Sequence, residues 1–266
     1  MTAMTFDRSR SVAAALYEVA SSSSTNTELC ARADREGMRD MTVMLTRYQS
    51  AGRGRLGRSW TAAPGAAIAA SVLLRPRFAD GSAPVADRLG WLPVIAGTAM
   101  AAAVRQVLPG RQVGFKWPND VLVDGRKISG ILAELLPSGT GVVVGSGINT
   151  RMTPEELPVP TATSLAVEGL PVDDALEDAV LAAYLEGLRA RVAAYLGAGA
   201  DAEASGVRAD ARAGCLTLGR SVNVDLPDGT VLCGTAVDLD PDGRLVVADE
   251  HGATRSVAAG DVTHVR

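Results

Sequence analysis

Cysteine, histidine and aromatic side chains are scarce in this chain, and each scarcity closes off a class of chemistry. The three cysteines, Cys30, Cys215 and Cys233, are an odd number, widely spaced, with no C-x-x-C pair. Neither a disulfide scaffold nor a thiolate zinc site fits, and the pattern matches a reducing compartment. The two histidines, His251 and His264, lie near the C-terminus. A histidine-based triad or a histidine-ligated metal centre would need that tail to reach the main pocket. Aromatics make up 4% of the residues while Ala, Gly and Val abound, a compositional bias with no functional reading. There is no excess of positive charge: the formal net charge is −4. That argues against a broadly basic nucleic-acid surface. The first residues lack the basic-then-apolar order of a signal peptide, and no uninterrupted apolar run could span a bilayer. A cytoplasmic protein without a membrane partner is expected.

What is present is the profile of a globular protein: 266 residues, 47% hydrophobic and 21% charged. That length has room for one large domain plus a small one. Ser11 to Val19 has the spacing of a short amphipathic helix, and the polar run ending in Ser24-Thr25-Asn26 precedes a second helical stretch. Such residues cap helix starts, because their side chains satisfy free backbone N–H groups; they can equally face a ligand there. Met41–Tyr48 and Ala66–Leu74 read as buried strands, and Pro84–Leu108 as a long core helix interrupted near Pro93. Val113–Lys116, Val121–Val123, Lys127–Leu136 and Gly141–Asn149 read as strands, Thr153–Pro160 as a loop, and Asp173–Leu196 as a helix with acids near its start. The Gly/Ala-rich run Gly197–Gly206 reads as a hinge or helix end. From Leu218 onward, short alternating segments with turns at Pro227–Gly229, Pro241–Gly243 and His251–Gly252 predict a small β-barrel. The boundary is placed at 213/214. No internal repeat is visible.

Four constellations carry chemistry. The first is the loop Tyr48–Trp60, in which Gly52, Gly54 and Gly57 alternate with Arg53, Arg55 and Arg58. Glycine permits close backbone approach, and arginine offers a planar cation suited to carboxylate and phosphate, so the loop reads as a clamp for a small anionic ligand. It matches G-x-G-x-x-G literally, but Arg58-Ser-Trp-Thr-Ala-Ala-Pro64 is no helix, so a dinucleotide fold is rejected. It is not a P-loop either, since no Lys-Ser/Thr follows the last glycine. The second, Lys116-Trp-Pro-Asn-Asp120, is turn chemistry; its lysine and acid also suit nucleotide and Mg²⁺. In the third, Gly125–Gly130, Lys127 starts an apolar strand, usually the place of a snorkelling edge residue. The fourth, Gly145-Ser-Gly147-Ile-Asn149, allows close backbone approach and adds a two-way hydrogen-bonding amide.

Taken in this order, Ser24-Thr-Asn26, Gln49-x-Ala-Gly-Arg-Gly-Arg-x-Gly-Arg-x-Trp60, Lys116-Trp-Pro-Asn-Asp120, Lys127-x-x-Gly-Ile-Leu132 and Gly145-x-Gly-x-Asn149 closely resemble the signature series of biotin–protein ligases. The match spans residues 20 to 265, and the Gly/Arg loop with the Lys-Trp-Pro-Asn-Asp run separates this family from its lipoate-handling relatives. Two departures stand out. Ser21–Ser23 replaces the Thr-Gly often found ahead of Ser-Thr-Asn, which bears on the shape of that wall. The short stretch before Ser24 leaves no room for the N-terminal helix-turn-helix domain that some members carry.

The resemblance implies an α+β fold: a mixed-sheet catalytic domain packed with helices, like the class II aminoacyl-tRNA synthetases (residues 1–213), and an SH3-like C-terminal barrel (214–266). It implies ATP-dependent attachment of biotin to a lysine of a biotin carboxyl carrier domain of acyl-CoA carboxylases, through biotinyl-5′-AMP, with Mg²⁺. On that basis Lys127 and Arg55 are the catalytic cations. Ser24, Thr25, Asn26, Gln49, Gly52, Arg53, Arg55, Lys127, Gly130 and Gly145 hold biotin. Arg55, Arg58, Trp60, Lys116, Asn119, Asp120, Lys127 and Asn149 hold ATP, and Asp120 contacts the metal. Lipoate or octanoate transfer on the same scaffold is the nearest alternative. A biotin-responsive DNA-binding regulator is disfavoured by the negative charge, and a purely binding module by the combination of Trp60, Asp120 and Lys127; no nucleic-acid partner is expected.

Overall fold

Strands of strongly apolar sequence generate one large sheet whose two faces meet very different neighbours. The computed structural model describes residues 6–226, 228–258 and 260–265. Its elements in chain order begin with α1 (Asp7–Val12), β1 (Ala15–Glu18), α2 (Thr25–Ala33) and β2 (Thr42–Thr46). Two very short strands follow, β3 (Gly52–Arg53) and β4 (Ser59–Trp60), then β5 (Ala67–Leu74) and α3 (Trp91–Val107). Next come β6 (Val113–Lys116), β7 (Asp120–Val123), β8 (Arg126–Leu135), β9 (Val142–Asn149), α4 (Asp174–Gly197) and α5 (Val207–Gly214). The last five strands are β10 (Ser221–Asp225), β11 (Val231–Leu239), β12 (Leu245–Ala248), β13 (Thr254–Val257) and β14 (Asp261–His264).

The seven-stranded sheet runs β1-β2-β5-β9-β8-β7-β6. Only the β1–β2 pair is parallel; the others are antiparallel. Side chains alternate between faces along each strand. One face carries Ile68, Ala70, Val72, Val144, Ile148 and Ile131 into the main core with α3 and α4. The opposite face is covered at one end by α2, where Leu29 and Ala33 pack on Met44, Leu73 and Val143. Beyond α2 that second face is left with small residues. In one row across four strands, Ala69 lies beside Gly147, Gly147 beside Gly130, and Gly130 beside Asp120.

A β-bulge interrupts this alternation. Ser129 pairs with Val121 and Lys127 with Leu122, so β8 spends two residues where β7 spends one. Ile128 and Ser129 are both buried, and the parity flip returns Lys127 to the face of Gly130. Re-aiming a side chain is what bulges do.

The C-terminal strands form an antiparallel sheet in the order β13-β12-β11-β10-β14, the small SH3-like barrel. Two buried tryptophans fasten it to the large sheet's domain. Trp91 Nε1 donates to Pro241 O at 2.7 Å, and Trp117 Nε1 to Gly243 O at 3.0 Å. The loop before Gly243 therefore rests on the indoles, and Gly243 itself takes a left-handed φ of 79°. Among the described residues no helix is long and apolar enough to cross a membrane.

Two readings of the sequence need correction. The helix placed over Ser11–Val19 ends at Val12, and residues Ala15–Glu18 form β1 instead. Asp178 accepts from Arg8 N, Ser9 N and Ser9 Oγ at 2.7–2.9 Å, which fixes the helix start early. Pairing with β2 then outweighs the helical propensity of the Ala-rich segment. Pro93 does not interrupt α3: it lies in the first turn, where a missing N–H costs nothing. Between Gly206 and the barrel, a stretch given no reading from the sequence, the chain forms α5. Of the turn read at Pro227–Gly229, Pro227 lies outside the described residues.

His264 on β14 is half-buried with Nε2 3.3 Å from Thr217 Oγ1. Burial, then the positive charges of Lys116 and Arg220, push its imidazole from 6.5 down to about 4. The unfolded chain therefore binds a proton at a pH where the folded chain refuses it. Stability is complete above pH 6.5 and declines as pH falls from there toward about 4. Urea midpoints measured across that window are expected to drop less steeply for His264→Gln than for the parent chain.

Candidate active site

The cavity stands on the small-residue face of the sheet, and its floor exists because β9 lacks side chains there. A Cβ at Gly145 would overlap the Asn26 amide, and one at Gly147 would sit 2.5 Å from Trp60 Cε2. Bare backbone at these positions thus seats one wall from α2 and another from the Gly/Arg loop. Together with the solvent space at its open mouth, the cavity takes in about 840 Å³.

The first wall is the start of α2. Ser24 is the N-cap, its hydroxyl accepting from Thr27 N at 3.4 Å. Thr25 N donates to Gln49 Oε1 at 2.8 Å, and Thr25 Oγ1 lies 3.1 Å from the same oxygen. Ser71 Oγ, on β5, is 2.7 Å from Thr25 Oγ1 and donates to Asn26 Oδ1 at 2.6 Å. Asn26 Nδ2 donates to Leu132 O at 3.0 Å and to Glu134 Oε2 at 2.8 Å. Ser24, Thr25, Asn26 and Ser71 are buried, Gln49 and Glu134 partly so, and their mutual bonds make a rigid polar surface. Capping and facing the cavity are both done by this segment.

The cover is the Gly/Arg loop, folded as a hairpin in which Gly52 pairs with Trp60 and Arg53 with Ser59. Its tip is a 3-10 turn at Arg55–Gly57, with Leu56 at φ 55° and Gly57 at φ 72°. Three arginines diverge from it. Arg53 reaches Glu134 on β8 at 2.6 Å. Arg55 Nη1 donates to Asn119 Oδ1 at 3.2 Å and to Gly260 O at 3.3 Å. Arg58 pairs with Asp261 of the barrel. Burial lowers the pKa of Arg55, against the pull of Asp261 and Asp120. Burial also works against the ionised carboxyl of Asp261, yet the hydrogen bond and charge of Arg58 hold it below the usual carboxylate range.

The third wall is the end of β7 and the bulged part of β8. Lys127 Nζ lies 2.6 Å from Asp120 Oδ1, an ion pair rather than a well-aligned hydrogen bond. Asn119 Nδ2 donates to Ile131 O at 3.1 Å, fixing the turn that follows Trp117-Pro118. Asp120 is the one carboxylate on this wall. Among the described residues no three His, Cys, Asp or Glu side chains converge to form a metal cage.

Of the residues read from the sequence, Ser24, Thr25, Asn26, Gln49, Arg53, Arg55, Arg58, Trp60, Asn119, Asp120, Lys127, Gly130 and Gly145 line this single cavity. Three others stand back from it. Gly52 lies in the hairpin's first strand, off the cavity wall, where a Cβ would meet the Trp60 carbonyl. Lys116 is half-buried at the end of β6, its pKa lowered by burial despite Asp120 and Asp261 nearby. Asn149 is buried and donates through Nδ2 to Thr163 O at 2.9 Å. Sequence reasoning missed Ser71, Glu134 and Asp261. A lone hydroxyl inside the apolar run Ala66–Leu74 was a usable signal for Ser71; Asp261, in an alternating barrel strand, had none.

Because Trp91 and Trp117 are buried, Trp60 dominates the accessible indole of the chain. Gly147→Ala is expected to displace Trp60 from β9 and to increase acrylamide quenching of tryptophan fluorescence. Unchanged quenching would remove the indole from the floor.

Comparison with known proteins shows the family. Residues 18–150 match the Biotin/lipoate A/B protein ligase family, and residues 217–265 match the Biotin protein ligase C terminal domain. The biotin--[acetyl-CoA-carboxylase] ligase of Mycobacterium tuberculosis is 40% identical over 93% of this chain and 88% of its own length. The structure of biotin protein ligase from Aquifex aeolicus in complex with biotin and ATP superposes with a TM-score of 0.73 at 25% identity, covering 95% of this chain and 99% of that one. The Leishmania major biotin protein ligase in complex with biotinyl-5-AMP shares the fold, with a TM-score of 0.55 at 21% identity and coverage of 92% and 99%. Cavity, barrel and sequence relationship converge, and the chain belongs to the biotin/lipoate A/B protein ligase family as one of its biotin protein ligases.

Proposed function

We propose that the protein joins biotin to ATP as biotinyl-5′-AMP and then transfers the biotinyl group to a lysine of a biotin carboxyl carrier domain of an acetyl-CoA carboxylase. The observation that carries this reading is the placement of Arg55, Arg58 and Lys127 around one small-residue floor. The named Mycobacterium and Aquifex relatives supply the substrate class. The match of residues 217–265 to a biotin-ligase C-terminal model favours biotin over lipoate.

The first step brings a carboxylate against a triphosphate. At about 4 Å and an effective dielectric near 20, each unit-charge repulsion is roughly 4 kcal/mol. Fixed cations offset it and also stabilise charge developing on the α-phosphorus. Lys127 and Arg55 take the carboxylate and α-phosphate, and Arg58 the remaining phosphates. The biotin oxygen bonds to phosphorus as pyrophosphate leaves. In the second step the neutral carrier amine attacks the acyl carbon, AMP departs, and the amine's proton is lost. Ser24, Thr25, Asn26 and Gln49 face the ureido ring, with backbone near Gly52, Arg53, Gly130 and Gly145. Trp60 offers its ring to adenine, and Asn119 and Asp120 the nucleotide side; Lys116 and Asn149 support that side from behind. No protein nucleophile takes part.

Magnesium keeps most of its waters and is held by one or two carboxylates plus substrate phosphates. Asp120 suits a Mg²⁺ carried in by the nucleotide, where the ion would neutralise phosphate charge. A cytoplasmic setting fits the carrier substrate.

The test is incubation with ATP, Mg²⁺, labelled biotin and an apo carrier domain, followed by denaturing electrophoresis. Covalent label on the carrier is expected, and its absence together with failure to accumulate biotinyl-AMP would refute the assignment. Lys127→Ala is expected to reduce biotin-dependent pyrophosphate exchange by about 10²-fold or more with the circular dichroism spectrum unchanged. A near-normal exchange rate would take Lys127 out of the mechanism.

A further inference from the structure

Glu134 lies at the end of β8, on the same face as Gly130 and Leu132, and is not part of the cavity lining. It lies against the outer side of the Gly/Arg loop. Its carboxylate does two things at once. One oxygen accepts from Asn26 Nδ2 at 2.8 Å. Both oxygens converge on Arg53 Nη2, at 2.6 and 2.7 Å.

We infer that Glu134 is a positioning residue for the ligase reaction: it ties the α2 wall to the root of the Gly/Arg loop, so that wall and cover are set together. The inference rests on the reading proposed above. Asn26 is almost completely buried, packed on the bare backbone of Gly145. Its carbonyl oxygen is taken by Ser71 and its amide nitrogen by Leu132 O and Glu134. The network fixes which way the amide points, since the Leu132 carbonyl and the Glu134 carboxylate can only accept. Without the Glu134 carboxylate, Asn26 loses one of two acceptors in a buried setting.

On the loop side the anchors are opposed. Arg55 and Arg58 lean toward Asn119, Gly260 and Asp261, whereas Arg53 leans toward Glu134 near the end of β8. Glu134 is therefore the side-chain anchor of Arg53 in the hairpin's first strand, added to the backbone bonds Ser50 N to Ser22 O and Ala51 N to Ser23 O at its root. Asp261 is the anchor of Arg58 ahead of its second strand. The Arg53–Glu134 pair is partly exposed, so its strength is that of a surface pair and the effect of removing it is graded.

The two contacts separate by substitution. Glu134→Gln keeps an acceptor for Asn26 but loses the charge held by Arg53; Glu134→Ala loses both. In pyrophosphate exchange, KM for biotin is expected to rise about three-fold in Glu134→Gln and about ten-fold in Glu134→Ala, with kcat within about two-fold of the parent. In the Arg53→Ala background, adding Glu134→Gln should cause no further rise in KM. Backbone hydrogen exchange across residues 52–60 should be faster in Glu134→Gln than in the parent. A parent-like biotin KM in a folded Glu134→Ala enzyme would overturn the inference, as would an undiminished Glu134→Gln effect beside Arg53→Ala. If the parent chain forms no adenylate, the ligase reading fails. The anchor is then decided by exchange in residues 52–60: faster exchange in Glu134→Gln upholds it, and equal exchange overturns it.

Discussion

The absence of two side chains on the central strand governs this molecule. Gly145 and Gly147 lie on the same face of β9, the fourth of seven strands. Because nothing projects there, Asn26 can press on the backbone from α2 and Trp60 from the hairpin. The opposite face of the same strand carries Val144 and Ile148 into the main core with α3 and α4. One strand therefore serves as rigid core on one side and as an open floor on the other. Chemistry is built where the sheet is thinnest and held in place by packing where it is thickest.

Most of the charge around the floor is arranged in pairs, with Arg55 held instead by the neutral oxygens of Asn119 and Gly260. Lys127 faces Asp120, Arg58 faces Asp261, and Arg53 faces Glu134. An isolated cation in a half-buried cleft would be costly, and each carboxylate lowers that cost while leaving the cation in position. An incoming anion competes with a resident one, so binding is an exchange of partners. Such exchange favours ligands whose charge exceeds that of a single carboxylate, as a triphosphate does. One of the three carboxylates comes from the barrel, whose strand β14 thereby becomes part of the site's electrostatics although it carries no reacting group.

Much of the architecture was readable from local pattern. The β5 and β9 strands, α4 with its Asp173 cap, and the alternating barrel strands all follow from periodicity and turn residues. The segment Ala15–Glu18 was not, because its conformation is decided by β2, a partner distant in sequence. The bulge at Ile128 was invisible for the same reason: simple alternation sets Lys127 and Gly130 on opposite faces, and only pairing with β7 reveals the extra residue. At the site, the Gly/Arg loop announced itself through composition. Glu134 and Asp261 did not, since an acid near a strand end is ordinary until its arginine partner is known.

The glycine floor also sets a direction for change in ligand preference. A surface already reduced to backbone has nothing left to remove, so its depth can shrink by substitution but cannot grow. Any shift toward a bulkier carboxylic acid has to come from remodelling helix α2 or the hairpin, the two parts that rest on the floor. Selectivity in this scaffold is consequently adjustable from the rim and closed from below.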